Sequence, residues 1–324
     1  MDQSVGATIG SDLQEEMAAP ESRLTKRTGL KTKAKSEPAP AAEPALASAR
    51  LHAQLDGATV AAGSDPRLFV ESLEKGLRIL SLFDSSRPAL TVSEIGRASG
   101  LGRSAAQRFV YTLERLGYLR KRPRSHEYAL TTRVLDFASA YLGTDPIVSK
   151  SAELLADLNE RSGEVVALVE LDDTDIVIVS RLASRHPFSL SVVPGMRFPA
   201  YCTSGGRAIL AHMAPEEAAS VLARSDRRAF TSRTLTDPEA LMGELALVRR
   251  QGHAIVEGET VSDALSVAVP IFDSTNRPVA SVYMYCPLSR WSRKTVKQNL
   301  LPELIRTGEE FSRAIGGAHA RIGA

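Results

Sequence analysis

The chain has 324 residues, 43% of them hydrophobic and 24% charged, with a formal net charge of +2. That is enough apolar material for at least one full core, and the length suggests about two domains. No run approaches the ~18 to 20 apolar residues of a membrane span, no secretory-type leader is legible, and two cysteines, Cys202 and Cys286, exclude a disulfide framework, so a cytoplasmic protein is expected.

Residues 1–66 hold 14 Ala and 5 Pro but no Phe, Trp or Tyr. Such a segment cannot bury enough apolar area to offset its ordering entropy, so a disordered tail is expected. Its basic stretch (Lys26, Arg27, Lys31, Lys33, Lys35) reads as a solvated tail or as a weak DNA-contacting arm. From Val70 to Phe83, the residues Val70, Leu73, Leu77, Ile79, Leu80, Leu82 and Phe83 recur at helical spacing, predicting a helix with one apolar face. Thr91 and Glu94 are spaced as a capping box, which predicts a short helix over Val92 to Ala98. The turn Ser99-Gly100-Leu101-Gly102 leads into a third predicted helix from Arg103 to Leu116, stopped by Gly117. Tyr118 to Arg122 and Glu127 to Leu130 read as two short strands joined by Pro123 to His126. Thr131 is expected to cap a helix over Thr132 to Leu142, with Gly143 as its stop and Pro146 beyond.

From Asp145 onward helices and strands mix. Helices are predicted over residues 149–162, 206–213, 215–224, 238–251 and 294–315. Strands are predicted over 165–171, 175–181, 188–193, 266–272 and 279–286. The strands come in hairpins and do not alternate with helices, which argues for an α+β fold on an antiparallel sheet.

Charge is unevenly divided. Residues 67–144 carry 13 Lys and Arg against 7 Asp and Glu, a balance of +6, while 1–66 and 145–324 each stand at −2. A basic domain between two slightly acidic segments points to a polyanion partner. Helix, helix, glycine turn, helix and basic hairpin is the order of a winged helix-turn-helix. On the third helix, Ala106, Phe109, Val110, Leu113 and Leu116 fall with Ala105 on the inward side, leaving Arg103, Ser104, Gln107, Arg108, Tyr111 and Thr112 nearer the outside. A recognition helix reads the major groove with its N-terminal residues. Arg103 suits guanine and Gln107 suits adenine, while Ser104 and Tyr111 suit phosphate or sugar. Thr91, Ala105 and Arg108 complete the candidate DNA-contacting set with Arg120, Lys121, Arg122 and Arg124 on the wing. A glycine-turned helix pair also occurs in proteins that bind no DNA; here helix order, wing cations and charge coincide.

These residues resemble the IclR family of bacterial transcription regulators. Ser72 to Leu80 resembles the family's first helix, and Gly100 to Arg108 with Thr112 to Leu119 its recognition helix and exit. Gly195 to Ala211, Gly252-His253-Ala254 with Glu257, and Ser266 to Asp273 resemble the effector-domain blocks. Pro199 to Ser204 and Leu301 to Leu304 look most like the branch that regulates aromatic-acid catabolism (PcaR/PobR-type). The resemblance implies an N-terminal winged helix-turn-helix, a linker helix and a C-terminal GAF-like antiparallel-sheet effector domain. The corresponding division is a disordered tail over 1–66, the DNA-binding domain over 67–130, the linker helix over 131–144, the effector-binding and oligomerisation domain over 145–318 and a short tail over 319–324. The partners implied are double-stranded operator DNA, a small organic-acid effector and further copies of the chain, as homodimers that in the family often pair into tetramers. No membrane partner and no cofactor is implied.

Small residues at Thr203-Ser204-Gly205-Gly206 precede a predicted helix. That arrangement reads either as an anion site of backbone N–H groups or as a tight turn with no ligand. The resemblance implies effector contacts at Leu190, Ser204, Gly205, Ala264, Ser266, Tyr283 and Tyr285, with Glu257 close to another. Cys202 either borders that pocket or packs as a small apolar residue. Small-acid sensors of the family have serines at Tyr283 and Tyr285; two tyrosines there could stack on an aromatic acid or fill the cavity. The six histidines show no metal-ligand spacing, so no metal is expected. Two alternatives differ in class: a sensor acting through protein contacts, against which the wing cations argue, and a hydrolase using Ser204, for which no G-x-S-x-G elbow or nearby base is legible.

Overall fold

The structure, a computed structural model, describes residues 66–186 and 192–317. The tail with its basic stretch, Leu190, most of the strand expected over 188–193 and the C-terminal tail lie outside the described residues.

Three helices and a three-stranded sheet make the N-terminal domain. They are α1 (Glu71–Leu80), α2 (Val92–Ala98) and α3 (Arg103–Arg115), with β1 (Leu90–Thr91), β2 (Leu119–Lys121) and β3 (Glu127–Leu130) in the order β1-β3-β2. α1 is shorter than its apolar pattern predicts. Leu82 and Phe83 follow it as buried turn residues, while Leu73 and Leu77 face solvent, so the stripe is split between core and surface. Leu116 is likewise half exposed, because it stands at the C-cap of α3 and not on its inward face. Gly117 takes φ +81°, and the N–H groups of Gly117 and Tyr118 close back on the carbonyls of Glu114 and Leu113, both at 2.9 Å. This Schellman ending turns the chain sharply into the wing. Ile79, Phe83, Ile95, Val110, Leu113 and Leu119 form the shared core. β1 was not anticipated, since two residues show no alternation.

The linker departs from expectation at both ends. Thr132–Val134 is a 3-10 turn, and α4 (Leu135–Thr144) runs through Gly143. The break comes at Asp145, whose extended backbone and carboxylate cap α5 (Pro146–Ser162) by accepting from Ile147 N (2.7 Å) and Val148 N (3.2 Å). Pro146 therefore opens a helix at its first position, where its missing N–H costs nothing. Phe137 stacks on Tyr118 at 5.8 Å between ring centroids, which fastens α4 to the N-terminal domain.

The C-terminal domain is built on a six-stranded sheet, antiparallel in every pair. Its strands are β4 (Val165–Asp172), β5 (Asp175–Leu182), β6 (Arg197–Pro199), β7 (Ala254–Glu257), β8 (Ala264–Phe272) and β9 (Pro278–Pro287), in the order β6-β5-β4-β9-β8-β7. Strand alternation sorts side chains into two cores. Ala167, Val169, Ile178 and Ala268 face α7 (Pro215–Arg224) and α8 (Pro238–Gln251). Val166, Leu168, Val267, Val282 and Met284 face α5, α9 (Arg293–Asn299) and α10 (Leu301–Ala314). The single last helix expected from 294 to 315 is broken at Leu300, because Pro302 has no N–H with which to continue the ladder. α6 (Ser204–Leu210) starts two residues earlier than expected, after a 3-10 turn at Ala200–Cys202. Among the described residues, no helix is long and apolar enough to cross a membrane.

Candidate functional site

α3 presents Arg103, Ser104, Gln107, Arg108 and Tyr111 to solvent from its first three turns. Ala105 is half buried in a groove shared with α1. The wing carries Arg120, Lys121 and Arg124 exposed, while Arg122 is half buried with a guanidinium nitrogen 3.8 Å from Glu127. Arg124 sits at the wing tip with φ +60°. The sequence-named cations thus lie on α3 and on the β2–β3 hairpin. The Thr91 hydroxyl is engaged within the fold: it accepts from Glu94 N (3.3 Å) and donates to Glu94 Oε2 (2.8 Å), which also accepts from Thr91 N (2.8 Å). Thr91→Ala is therefore expected to destabilise the domain by about 1 kcal/mol. Urea unfolding of the variant measures it.

The second site is a cavity between the start of α6 and the facing sheet, with an empty volume of about 580 Å³ including its mouth. Six of the sequence-named residues line it: Ser204, Gly205, Ala264, Ser266, Tyr283 and Tyr285. The glycines are there for close approach. A Cβ on Gly205 would lie 2.7 Å from the Val169 side chain, and one on Gly206 2.3 Å from the Ala200 carbonyl oxygen. The helix start is thereby pressed onto the sheet and onto its own preceding turn. The Gly206 N–H is taken by the Thr203 hydroxyl at 3.2 Å, so the helix start is less open to an anion than its composition suggests.

Two named residues stand elsewhere. Cys202 is fully buried, its Sγ 3.9 Å from the Pro199 carbonyl, because the 3-10 turn points it into the core. Glu257 lies outside the cavity on edge strand β7, paired with Arg233 at 2.7 Å and 3.8 Å from Arg293. The cavity also takes in residues not singled out from sequence: Val165, Ile176, Arg181, Val192, Phe198 and Thr260. Their signal is strand alternation, but it becomes readable only once the cross-strand register is known.

One contact joins the linker to the sheet. The Tyr141 hydroxyl of α4 donates to Glu170 Oε2 at 2.5 Å. Burial raises the Glu170 carboxyl above the usual carboxylate range, although the Tyr141 bond opposes that. Burial and the neighbouring Glu170 push the Tyr141 hydroxyl up as well. Glu170 follows Val169, the residue against which Gly205 closes, so consecutive positions of β4 face the linker and the start of α6.

Comparison with known proteins agrees with this architecture. The family model "IclR helix-turn-helix domain" matches residues 72–123, and "Bacterial transcriptional regulator IclR C-terminal" matches residues 139–313. The chain is 32% identical over 250 residues to the Pca regulon regulatory protein of Pseudomonas putida, covering 77% of this chain and 85% of that one. It is 27% identical to the p-hydroxybenzoate hydroxylase transcriptional activator of Acinetobacter baylyi, covering 76% and 92%. Among solved structures, an IclR homologue complexed with 4-hydroxybenzoate from Microbacterium hydrocarbonoxydans is similar with a TM-score of 0.64 and 28% identity, covering 75% of this chain and 99% of that one. With a helix-turn-helix domain and a C-terminal sheet domain that both match the family's models, the chain belongs to the IclR family of bacterial transcriptional regulators.

Proposed function

We propose that the chain binds a palindromic operator as a homodimer in the cytoplasm, and that an aromatic carboxylate in the cavity sets its affinity for that operator. The observation that carries the reading is the pairing of an exposed recognition helix and wing with a cavity holding two tyrosines. A structural relative has been solved with 4-hydroxybenzoate. Among the described lining residues are hydroxyls and a cation but no carboxylate or imidazole, which favours binding over nucleophilic chemistry at Ser204. Self-association is supported by the large apolar side chains that face solvent on α1 (Leu73, Leu77) and α4 (Leu135, Phe137, Tyr141). In a dimer the two recognition helices would meet half-sites about 34 Å apart, or a multiple of that. Ligand-dependent change at the α6–β4 contact can reach α4 through Glu170 and Tyr141. It couples to DNA only insofar as the ligand binds two arrangements unequally.

Salt dependence tests the DNA half of the reading. Binding to duplex DNA is expected to weaken with a log–log slope of about −4 or steeper, each neutralised phosphate contributing about −0.9. A slope near zero in fluorescence anisotropy would instead favour a sensor that signals through protein contacts.

A further inference from the structure

We infer that Tyr118 is a positioning residue for operator recognition: it locks the exit of α3 to the start of the linker, so that α3 and α4 move as one body and the operator's half-site spacing is read through that joint. The inference rests on the regulator reading above and deepens its DNA half. Tyr118 follows Gly117, the glycine that ends α3, and its N–H bonds back to the Leu113 carbonyl at 2.9 Å. The Tyr118 carbonyl accepts from Thr131 N at 3.0 Å, and the Gly117 carbonyl accepts from the Thr131 hydroxyl at 2.5 Å. The same hydroxyl accepts from Arg133 N at 3.2 Å and so caps the 3-10 turn that leads into α4. Side chains repeat the connection. The Arg133 guanidinium carbon lies 5.4 Å from the centroid of the Tyr118 ring, and the Phe137 ring stacks on the same ring at 5.8 Å with 12° between the planes. Residues four apart fall on one side of a helix, so both reach the same partner. A Cβ on Gly117 would lie 3.4 Å from Arg133 Nη1, so the arginine also runs close over the exit turn.

The other end of α4 is held differently. α4 buries none of its own residues, so its direction is set by what holds its ends. At the C-terminal end the chain passes through one extended residue, Asp145, with φ −74° and ψ 120°, before α5 begins. A single extended residue between two helices is a natural pivot, because a change in its two dihedrals reorients everything beyond it. At the N-terminal end, two hydrogen bonds, an aromatic stack and a cation–π contact must all break before α4 can turn against α3. The linker is thus mounted firmly on the DNA-binding domain and pivots at the effector domain. In a homodimer that uses α4 for contact between copies, the separation of the two recognition helices follows from the angle between α3 and α4, which the joint at Tyr118 sets. Tyr118 also packs against the N-terminal core, whereas Arg133 and Phe137 are exposed. Those two residues are therefore the places to loosen the joint without emptying that core.

Anisotropy titrations of the full chain test this, with an operator that the wild type selects from a pool of random-sequence duplexes. Its affinity is compared with that for the same operator carrying two base pairs inserted between its half-sites, and for a single half-site. The insertion moves one half-site by about 7 Å and turns it by about 70°. The wild type is expected to lose about tenfold or more on insertion. Arg133→Gln with Phe137→Leu removes the cation and the ring but keeps apolar bulk on α4. This variant is expected to shrink the insertion penalty by about fivefold or more, the scale of one aromatic stack and one cation–π contact together, with half-site affinity retained. Phe137→Trp, which keeps the stack, is expected to keep the wild-type penalty. The ratio of the two operators is read because general damage to DNA binding weakens both alike. If the double variant fails to fold, as judged by thermal unfolding, Phe137→Leu alone makes the comparison, with about threefold as the expected change. An undiminished penalty in the folded variant overturns the role of the joint and leaves the regulator reading standing. A wild type that binds the operator no more tightly than a half-site overturns the homodimer reading, and this inference with it.

Discussion

Glu259→Ala is expected to cost about 3 to 5 kcal/mol of stability, the scale of leaving a buried charge without its partner. Arg207, in the last turn of α6, is buried, and both its terminal nitrogens meet the Glu259 carboxylate at 2.7 Å. Its Nε donates to the Tyr201 carbonyl at 2.7 Å, and Glu259 Oε2 also accepts from Leu235 N at 2.9 Å. One ion pair therefore ties α6, the turn before it and the 230s loop to the segment after β7. Removing the carboxylate takes away the acceptors of both terminal nitrogens of a buried guanidinium. Removing both partners is a different experiment. Arg207→Met with Glu259→Met replaces the pair by apolar bulk and is expected to recover most of the loss. A shift in the urea midpoint at constant slope reads the difference. Equal losses in the single and double variants would show that the pair does not organise this region.

The second large effect falls on DNA. Arg103→Ala with Gln107→Ala is expected to weaken binding to the specific operator by roughly 100-fold or more, because each good side-chain-to-base contact is worth about 1 to 3 kcal/mol. Binding to random duplex should change far less, since phosphate contacts from Arg120, Lys121 and Arg124 persist. Both substituted residues are exposed on α3, so the fold should be unaffected. Anisotropy titrations with an operator fragment and a scrambled duplex separate the two terms. Unchanged operator affinity would remove α3 from base recognition.

Legibility from sequence follows how local each signal is. The capping box at Thr91 and Glu94, the glycine exit at Gly117 and the wing cations are encoded within a few residues, and the N-terminal domain was readable from them. Gly143 misled because glycine after an apolar run usually stops a helix, whereas here the stronger signal was Asp145-Pro146, which starts the next one. β6 and β7 span three and four residues, too few for a period of two to show. The cavity residues identified through the family blocks at the start of α6 and on β8 and β9 were found. Arg181 was not, because its relation to Tyr283 depends on pairing strands a hundred positions apart. Cys202 and Glu257 were adjacent in sequence pattern to the site but are turned away from it, one by a 3-10 turn and the other by its place on an edge strand.

The central claim is that occupancy of the cavity changes affinity for DNA. The most direct measurement is an anisotropy titration of the operator with the full chain, with and without saturating 4-hydroxybenzoate. A coupling of about 1 to 3 kcal/mol, or roughly 5- to 150-fold in operator affinity, is expected. Operator affinity that stays the same while the ligand is shown to be bound would contradict the account.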